Sequence, residues 1–168
     1  MGYDLPASIG AAVARGGRRV ICLAGDGSLQ LNIQELQTVV HHQLPIKLFV
    51  LNNDGYLSIR STQKNFFGRV MGESASSGVS FPDFVKVGNA YGIPSVRVER
   101  AAEMDKVQAA LAAPGPALIE VMLDPQQEFE PRSRSKVLPD GTIVSPPLED
   151  MYPFLSPEEL AANTFGRE

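Results

Sequence analysis

Residues 20–28 read VICLAGDGS and residues 46–55 read IKLFVLNNDG, two apolar runs that each end in a turn-forming sequence. Short runs of aliphatic and β-branched residues without polar alternation are typical of strands that are buried on both faces of a parallel sheet. We predict strands over Arg19–Leu23 and Ile46–Leu51. Because ligands bind beyond the carboxyl ends of such strands, the two turns form the candidate site.

Helix and strand signals alternate along the chain around these two strands. The predicted helices are Pro6–Arg15, Ile33–His42, Pro82–Tyr91 and Ala101–Ala112, and the further strands are Ser95–Val98 and Ala117–Leu123. Asn32 with Glu35 predicts a capping box at the start of the second helix. Residues 56–79 are polar and contain glycines, which predicts a long mobile segment with some helix. The alternation predicts an α/β fold, a parallel sheet with helices on both faces.

The composition of the chain changes after Asp124. Residues 125–157 hold seven of the 13 prolines and show little periodicity. We therefore predict an extended, proline-rich C-terminal tail over residues 125–168, with a short helix near Pro157–Asn163. The full length of 168 residues is typical of a single domain.

Charge and composition exclude several classes of function. The chain has 15 basic and 19 acidic residues, a net charge of −4, which disfavours nucleic acid as a partner. Its apolar runs are too short to span a membrane. The single cysteine, Cys22, is predicted to be a small buried residue of a strand, and no internal disulfide can form. A cytoplasmic protein is the expectation.

The two turns carry residues suited to a divalent cation and a diphosphate. Glycines allow a backbone to approach a phosphate closely, but Asp26 would repel a bare anion. Mg²⁺ resolves this conflict, since it takes carboxylate, amide and carbonyl oxygens and bridges to phosphate. Asp26, Asn53 and the Gly55 carbonyl supply those oxygens. Each turn alone is more often merely structural, whereas the pair after adjacent strands favours a site.

The paired motif resembles the fingerprint of thiamine-diphosphate-dependent enzymes, in particular acetolactate (acetohydroxyacid) synthases. Asn53 follows Asp26 by 27 residues, and the stretch between them, LQLNIQEL over residues 29–36, is also similar. So are the opening residues 1–11 and the ending over residues 147–155. The resemblance implies the thiamine-diphosphate-binding fold, with thiamine diphosphate and Mg²⁺ as cofactors.

The resemblance also implies a role for each site residue. Asp26, Asn53 and the Gly55 carbonyl would bind Mg²⁺. The remaining residues would bind the cofactor itself: Gly25, Gly27 and Ser28 at the diphosphate, Asn53 beside it, Tyr56 and Leu57 through nearby backbone N–H groups, and Met1 as the bulky apolar support of bent thiamine. For Met1, the alternative that it is simply the start residue is left open.

The family reaction implied is decarboxylation of a 2-oxo acid such as pyruvate, with C–C bond formation. Two departures leave the acceptor substrate open. Thr62 stands where synthases that favour a larger acceptor have tryptophan, and Ile59 stands where pyruvate-decarboxylase relatives have a catalytic glutamate. Residues 55–63 are similar to relatives that hydrolyse cyclic diones. Another thiamine-diphosphate lyase, a cyclic-dione hydrolase and a non-catalytic binding or assembly module therefore remain alternatives.

Family enzymes are several times longer than this chain and carry two further domains upstream. We therefore expect an N-terminally truncated fragment that is inactive alone and holds no catalytic residue, because the family glutamate that protonates the cofactor lies in a missing domain. Whether FAD occupies the missing middle domain is left open. Enzymes of the family form their active site between two subunits, so the resemblance implies a homodimer or homotetramer.

Overall fold

A computed structural model describes residues 1–127 and 129–164, apart from the side chain of residue 66. The chain forms two compact units, Met1–Gln127 and Glu128–Glu168. The first unit contains one sheet of four parallel strands in the order β1-β2-β4-β3. Its strands are β1 Val20–Gly25, β2 Ile46–Asn52, β3 Ser95–Val98 and β4 Ala117–Met122. These bounds lie within two residues of the predicted ones, and the predicted parallel α/β fold is confirmed.

Helices connect the strands of the sheet. They are α1 Asp4–Ala14, α2 Asp26–Gln30, α3 Leu36–His41, α4 Leu57–Phe67, α5 Phe84–Ala90 and α6 Met104–Ala112, with single 3-10 turns at Ile33–Glu35, Ala75–Ser77 and Ala101–Glu103. The predicted second helix is therefore a 3-10 turn followed by α3. The predicted fourth helix is divided in the same way before α6.

At β4 the sheet is covered on both faces, since side chains alternate along a strand and neighbouring residues there are both buried. Leu118 and Ile119 on β4 are both fully buried and pack into different apolar clusters. Burying each such side chain contributes about 1.5–3 kcal/mol. One cluster takes residues from α1, α3 and α5, and the other takes residues from α6. Helices on both faces are thus confirmed.

Strand β1 has a covered face and an exposed one. Cys22 and Ala24 are buried in the first cluster, as predicted for Cys22. Ile21 and Leu23 alternate with them and are 55% and 63% exposed. The prediction that this strand is buried on both faces is therefore wrong, because within the described residues nothing covers the face that carries Ile21 and Leu23.

One local prediction is wrong, and another is confirmed in part. The capping box of Asn32 and Glu35 is wrong, since the Asn32 side chain donates to the Gly2 carbonyl at 2.5 Å and Glu35 accepts from the Thr38 hydroxyl at 2.8 Å. Residues 56–79 hold the regular helix α4, which ends at Gly68 in a left-handed conformation. This segment is hydrogen-bonded to the rest of the unit through the side chain of Arg60.

The second unit contains short elements among its prolines. Strands β5 Lys136–Val137 and β6 Ile143–Val144 form an antiparallel hairpin. Helix α7 spans Pro157–Asn163, as predicted, and the Ser156 side chain caps it by accepting the Glu159 N–H at 3.2 Å. Within residues 1–127 and 129–164, no helix is long and apolar enough to cross a membrane.

Candidate functional site

The sheet brings the two glycine-containing turns to the same edge. Strands β1 and β2 are parallel neighbours, and Gly25 pairs with Leu51 in their register. Asp26 follows β1 directly and begins α2, whereas residues 53–55 follow β2. Since both strands run in the same direction, their carboxyl ends place the two turns side by side.

The carboxylate of Asp26 joins the two turns. Its Oδ2 atom accepts the N–H of Gly55 at 2.9 Å, and its Oδ1 atom accepts the N–H of Gly27 at 2.6 Å. Asp26 is only 2% exposed. The structure thus places the first predicted metal ligand in contact with the turn that carries the other two.

The electrostatics of Asp26 are those of a buried anion held by backbone dipoles. Burial raises the pKa of its carboxyl group, while N–H groups of Gly55, Gly27 and Asn53 act to lower it. A carboxylate has about four acceptor positions, so these three donors leave acceptor capacity for a cation. Buried charges are usually paired or coordinated to a metal. The donor set of carboxylate, amide and carbonyl oxygens fits Mg²⁺.

Close packing explains the glycines of both turns. A Cβ atom on Gly27 would lie 2.3 Å from Cε1 of Tyr56, so the tyrosine ring lies directly against this glycine. A Cβ atom on Gly55 would lie 2.1 Å from the carbonyl oxygen of Glu73. No side chain fits at such distances without a shift of its neighbours. The glycines therefore let the two turns and the segment around Glu73 approach one another.

The start of the chain lies next to the first turn. The hydroxyl oxygen of Ser28 accepts the N–H of Gly2 at 2.8 Å, and the side-chain amide of Asn32 donates to the Gly2 carbonyl. Met1 is 74% exposed beside this anchor. These bonds place Met1, the predicted support of thiamine, next to the residues predicted to bind the diphosphate.

The other predicted cofactor residues flank the two turns. Gly25 is half-buried at the end of β1, and Leu57 is half-buried at the start of α4. Tyr56 donates its backbone N–H to the carbonyl of Glu73 at 2.8 Å. This amide is therefore already paired, and Tyr56 faces the first turn with its ring.

Sequence reasoning missed two buried charges behind the second turn. The guanidinium of Arg60 donates to the carboxylate of Glu73 at 2.5 Å and to the carbonyl of Asp54 at 2.9 Å. It also donates to the carbonyl of Pro125 and lies 3.5 Å from that of Asn53. Arg60 and Glu73 are 7% and 3% exposed. Their spacing of 13 residues carries no periodic signal, so no pattern in the sequence indicated the pair.

Asn52 supports the same turn from the sheet. The Nδ2 atom of its side chain donates to Glu120 at 2.7 Å, and the Oδ1 atom of the same side chain accepts the N–H of Asp54 at 3.0 Å. Glu120 is buried on β4 and accepts a second bond from Arg97 at 2.7 Å. The first asparagine of the Asn-Asn pair thus holds the turn and leaves Asn53 as the candidate ligand.

The match to a family model decides the affiliation of the chain. Residues 1–121 match the thiamine pyrophosphate enzyme, C-terminal TPP binding domain. The chain belongs to this family. The resemblance stated from the Gly-Asp-Gly and Asn-Asn turns is therefore confirmed.

Relatives of this TPP-binding domain include acetolactate synthases. The chain is 36% identical over 155 residues to the acetolactate synthase isozyme 2 large subunit of Escherichia coli, an alignment that covers 90% of the chain and 26% of that protein. It is 40% identical over 139 residues to a probable acetolactate synthase 2 of Oryza sativa, covering 78% of the chain and 21% of that protein. The chain thus spans about a quarter of the length of these relatives.

A solved structure of the same family has a similar fold. It is the Rhodococcus jostii thiamine diphosphate-dependent 4-hydroxybenzoylformate decarboxylase, with a TM-score of 0.66 and 34% sequence identity. The match covers 74% of this chain and 23% of that one. The fold of this TPP-binding domain is therefore shared by synthases and by a decarboxylase.

The ion pair behind the second turn predicts a loss of stability in acid. Burial raises the pKa of Glu73, but hydrogen bonds from Ser74 and Arg60 outweigh it and hold the pKa below the ordinary 4.5. A depressed pKa contributes stability that is present above pH 4.5 and is lost as the pH falls through the folded-state pKa. Glu73→Gln leaves the buried Arg60 guanidinium without its counter-charge and should therefore cost about 2 kcal/mol at pH 7 and less at pH 3.5. Thermal melting of both proteins at the two pH values measures this difference.

A control variant separates this effect from general acid destabilisation. Glu158→Gln changes an exposed glutamate in the first turn of α7, and the cost of Glu73→Gln at each pH is compared with the cost of this variant. A cost of Glu73→Gln that is the same at pH 7 and pH 3.5 would contradict the prediction.

Proposed function

We propose that this domain binds Mg²⁺ through the carboxylate of Asp26, the side-chain oxygen of Asn53 and the backbone carbonyl of Gly55. The observation that carries the proposal is the contact of the Asp26 carboxylate with Gly55 across the two turns. Within residues 1–127 and 129–164, no three His, Cys, Asp or Glu side chains converge as a metal site. A site with one charge suits a cation that completes its coordination with a diphosphate.

The diphosphate of thiamine diphosphate would bind beside this cation. We propose Gly25, Gly27 and Ser28 as its binding residues at the end of β1 and the start of α2, with Asn53 and Leu57 on the opposite side and the ring of Tyr56 packed against Gly27. Met1 would support the thiamine rings. The support for these roles is the family match together with the bond from Gly2 to Ser28 and the packing of Tyr56 on Gly27.

In the longer protein, we propose decarboxylation of a 2-oxo acid such as pyruvate followed by C–C bond formation, as in acetolactate synthases. Thiamine diphosphate supplies a nucleophilic carbon that adds to the carbonyl of such acids. The residues of this chain hold and orient the cofactor, and proton transfer to its ring is assigned to a glutamate of another domain. Support comes from identities of 34–40% to relatives named as acetolactate synthases.

The same proposal covers the oligomeric state and the cellular compartment of the protein. We propose a homodimer or homotetramer in the cytoplasm, in which this chain is the C-terminal part of a larger enzyme and residues 1–168 serve as one domain with a tail. FAD would be bound, if at all, outside this chain. The single buried cysteine, Cys22, supports a reducing compartment.

A second candidate is a thiamine-diphosphate lyase that releases an aldehyde. The structural similarity to a decarboxylase favours it. Ile59, at the start of α4, opposes this candidate. An apolar residue stands there, at the position where pyruvate-decarboxylase relatives have a catalytic glutamate. The products formed from pyruvate distinguish the two.

Calorimetric titration of the full-length protein with thiamine diphosphate tests the cofactor proposal. Binding is expected in the presence of Mg²⁺ and should be at least tenfold weaker after chelation with EDTA. Turnover of pyruvate with product identification then tests the reaction, with acetolactate expected for a synthase and acetaldehyde for a lyase. Binding that is equal with and without a divalent cation would contradict the metal site, and the absence of any binding would favour a non-catalytic module.

A further inference from the structure

The orientation of the Gly55 carbonyl depends on residues outside the family motif. A peptide group is planar and trans, so its C=O and its N–H point in opposite directions. The carbonyl of Gly55 belongs to the same peptide group as the N–H of Tyr56. Because that N–H donates to the carbonyl of Glu73 at 2.8 Å, the Gly55 carbonyl points away from Glu73.

The preceding peptide group is fixed at both ends. The carbonyl of Asp54 accepts a hydrogen bond from Arg60 at 2.9 Å, and the N–H of Gly55 donates to Asp26 at 2.9 Å. Two successive peptide groups around Gly55 are thus held by Arg60, Glu73 and Asp26. Rotation of the Gly55 carbonyl would break at least one of these bonds.

Arg60 and Glu73, which hold this turn, are fixed by further hydrogen bonds of their own. The Glu73 carboxylate accepts from Arg60 at 2.5 Å and from the Ser74 hydroxyl at 2.6 Å, and its backbone N–H donates to Ser77 at 2.9 Å. Arg60 also donates to the carbonyl of Pro125. Both members of the pair are buried, so water competes weakly for these bonds.

We infer that Arg60 and Glu73 are positioning residues that aim the Gly55 carbonyl at the magnesium ion, an inference that rests on the proposed function. Neither residue is proposed as a ligand of the cation or of the diphosphate. The pair of Arg60 and Glu73 fixes the direction of one ligand oxygen, the carbonyl oxygen of Gly55. That direction in turn determines how well the site fits a small cation. Mg²⁺ requires near-ideal octahedral geometry at about 2.0–2.1 Å, whereas Ca²⁺ tolerates irregular coordination at longer distances.

The test compares the two cations in Arg60→Gln. Thiamine diphosphate is titrated into the full-length protein in saturating Mg²⁺ and, separately, in saturating Ca²⁺. We expect about a tenfold loss of affinity in Mg²⁺ and about a threefold loss in Ca²⁺, because the misdirected carbonyl harms the stricter cation more. A role limited to overall stability would lower both affinities by the same factor.

Two further variants keep the test decisive. Arg69→Gln removes an exposed arginine of the same segment and should leave both affinities unchanged. If Arg60→Gln does not fold, Arg60→Lys replaces it, since lysine keeps the charge beside Glu73 but lacks the planar fork that binds several acceptors.

The outcomes separate this inference from the proposed function. Metal-dependent binding by the unchanged protein with an equal loss in both cations overturns the positioning role and leaves the proposed function intact. Absence of metal-dependent binding in the unchanged protein overturns the proposed function and the inference with it. A larger loss in Mg²⁺ than in Ca²⁺ supports both.

Discussion

Replacing Asp26 with alanine is expected to weaken the binding of thiamine diphosphate in Mg²⁺ by about 100-fold or more, which corresponds to about 2.7 kcal/mol. Asp26 is the buried carboxylate of the site, and it lies between the two turns. Without its charge, the cation would keep only neutral oxygens from the protein. Calorimetric titration of the full-length variant measures the loss.

The same substitution also removes a structural acceptor. The N–H groups of Gly27 and Gly55 lose their partner, and each unpaired buried donor costs about 1–3 kcal/mol. Thermal melting without cofactor must therefore accompany the titration. The metal effect is isolated by repeating the titration in EDTA, where Asp26→Ala should bind at least as tightly as the unchanged protein, because Asp26 repels a diphosphate that has no cation beside it.

A matched carboxylate elsewhere provides the control for the Asp26 substitution. Asp105 is an exposed aspartate in the first turn of α6, and Asp105→Ala should leave the affinity unchanged. If Asp26→Ala binds thiamine diphosphate as tightly as Asp105→Ala does in Mg²⁺, the proposed metal site is wrong.

The sequence predicts the sheet well because each strand can be recognised from its local apolar pattern alone. Strands buried on both faces, such as Ala117–Met122, read as short runs of mainly apolar residues that no helix pattern matches, even though Glu120 stands among them. The place of the site follows from the same reasoning, since parallel strands put their final turns at one edge. Asp26 and Gly55 lie 29 positions apart along the chain and are hydrogen-bonded in the structure.

The elements that sequence reasoning missed depend on contacts between distant segments. Helix α2 has only five residues and includes Gly27, so its sequence reads as a turn. The capping box failed because Asn32 finds a partner in Gly2, 30 positions away. The pair of Arg60 and Glu73 is likewise a product of tertiary structure. Local sequence patterns cannot indicate such long-range hydrogen bonds. These bonds determine how precisely the two turns are held in place.

Replacing Gly55 with alanine is expected to cost about 3–5 kcal/mol of stability, from backbone strain and overpacking together. Gly55 has a φ of +146°, where a side chain is strained. Its new Cβ atom would also lie 2.1 Å from the Glu73 carbonyl oxygen and 2.7 Å from Nη2 of Arg60. A backbone oxygen cannot move aside as a flexible side chain can, so the turn must shift.

A second glycine separates the strain from the collision. Gly68 ends α4 with a φ of +63°, and a Cβ atom there would meet no atom within 4 Å. Gly68→Ala should cost only about 1 kcal/mol, the penalty of a left-handed conformation. Urea denaturation followed by circular dichroism measures both variants. Equal costs would show that the segment around Glu73 yields freely, and a segment that yields could not hold the Gly55 carbonyl in one direction.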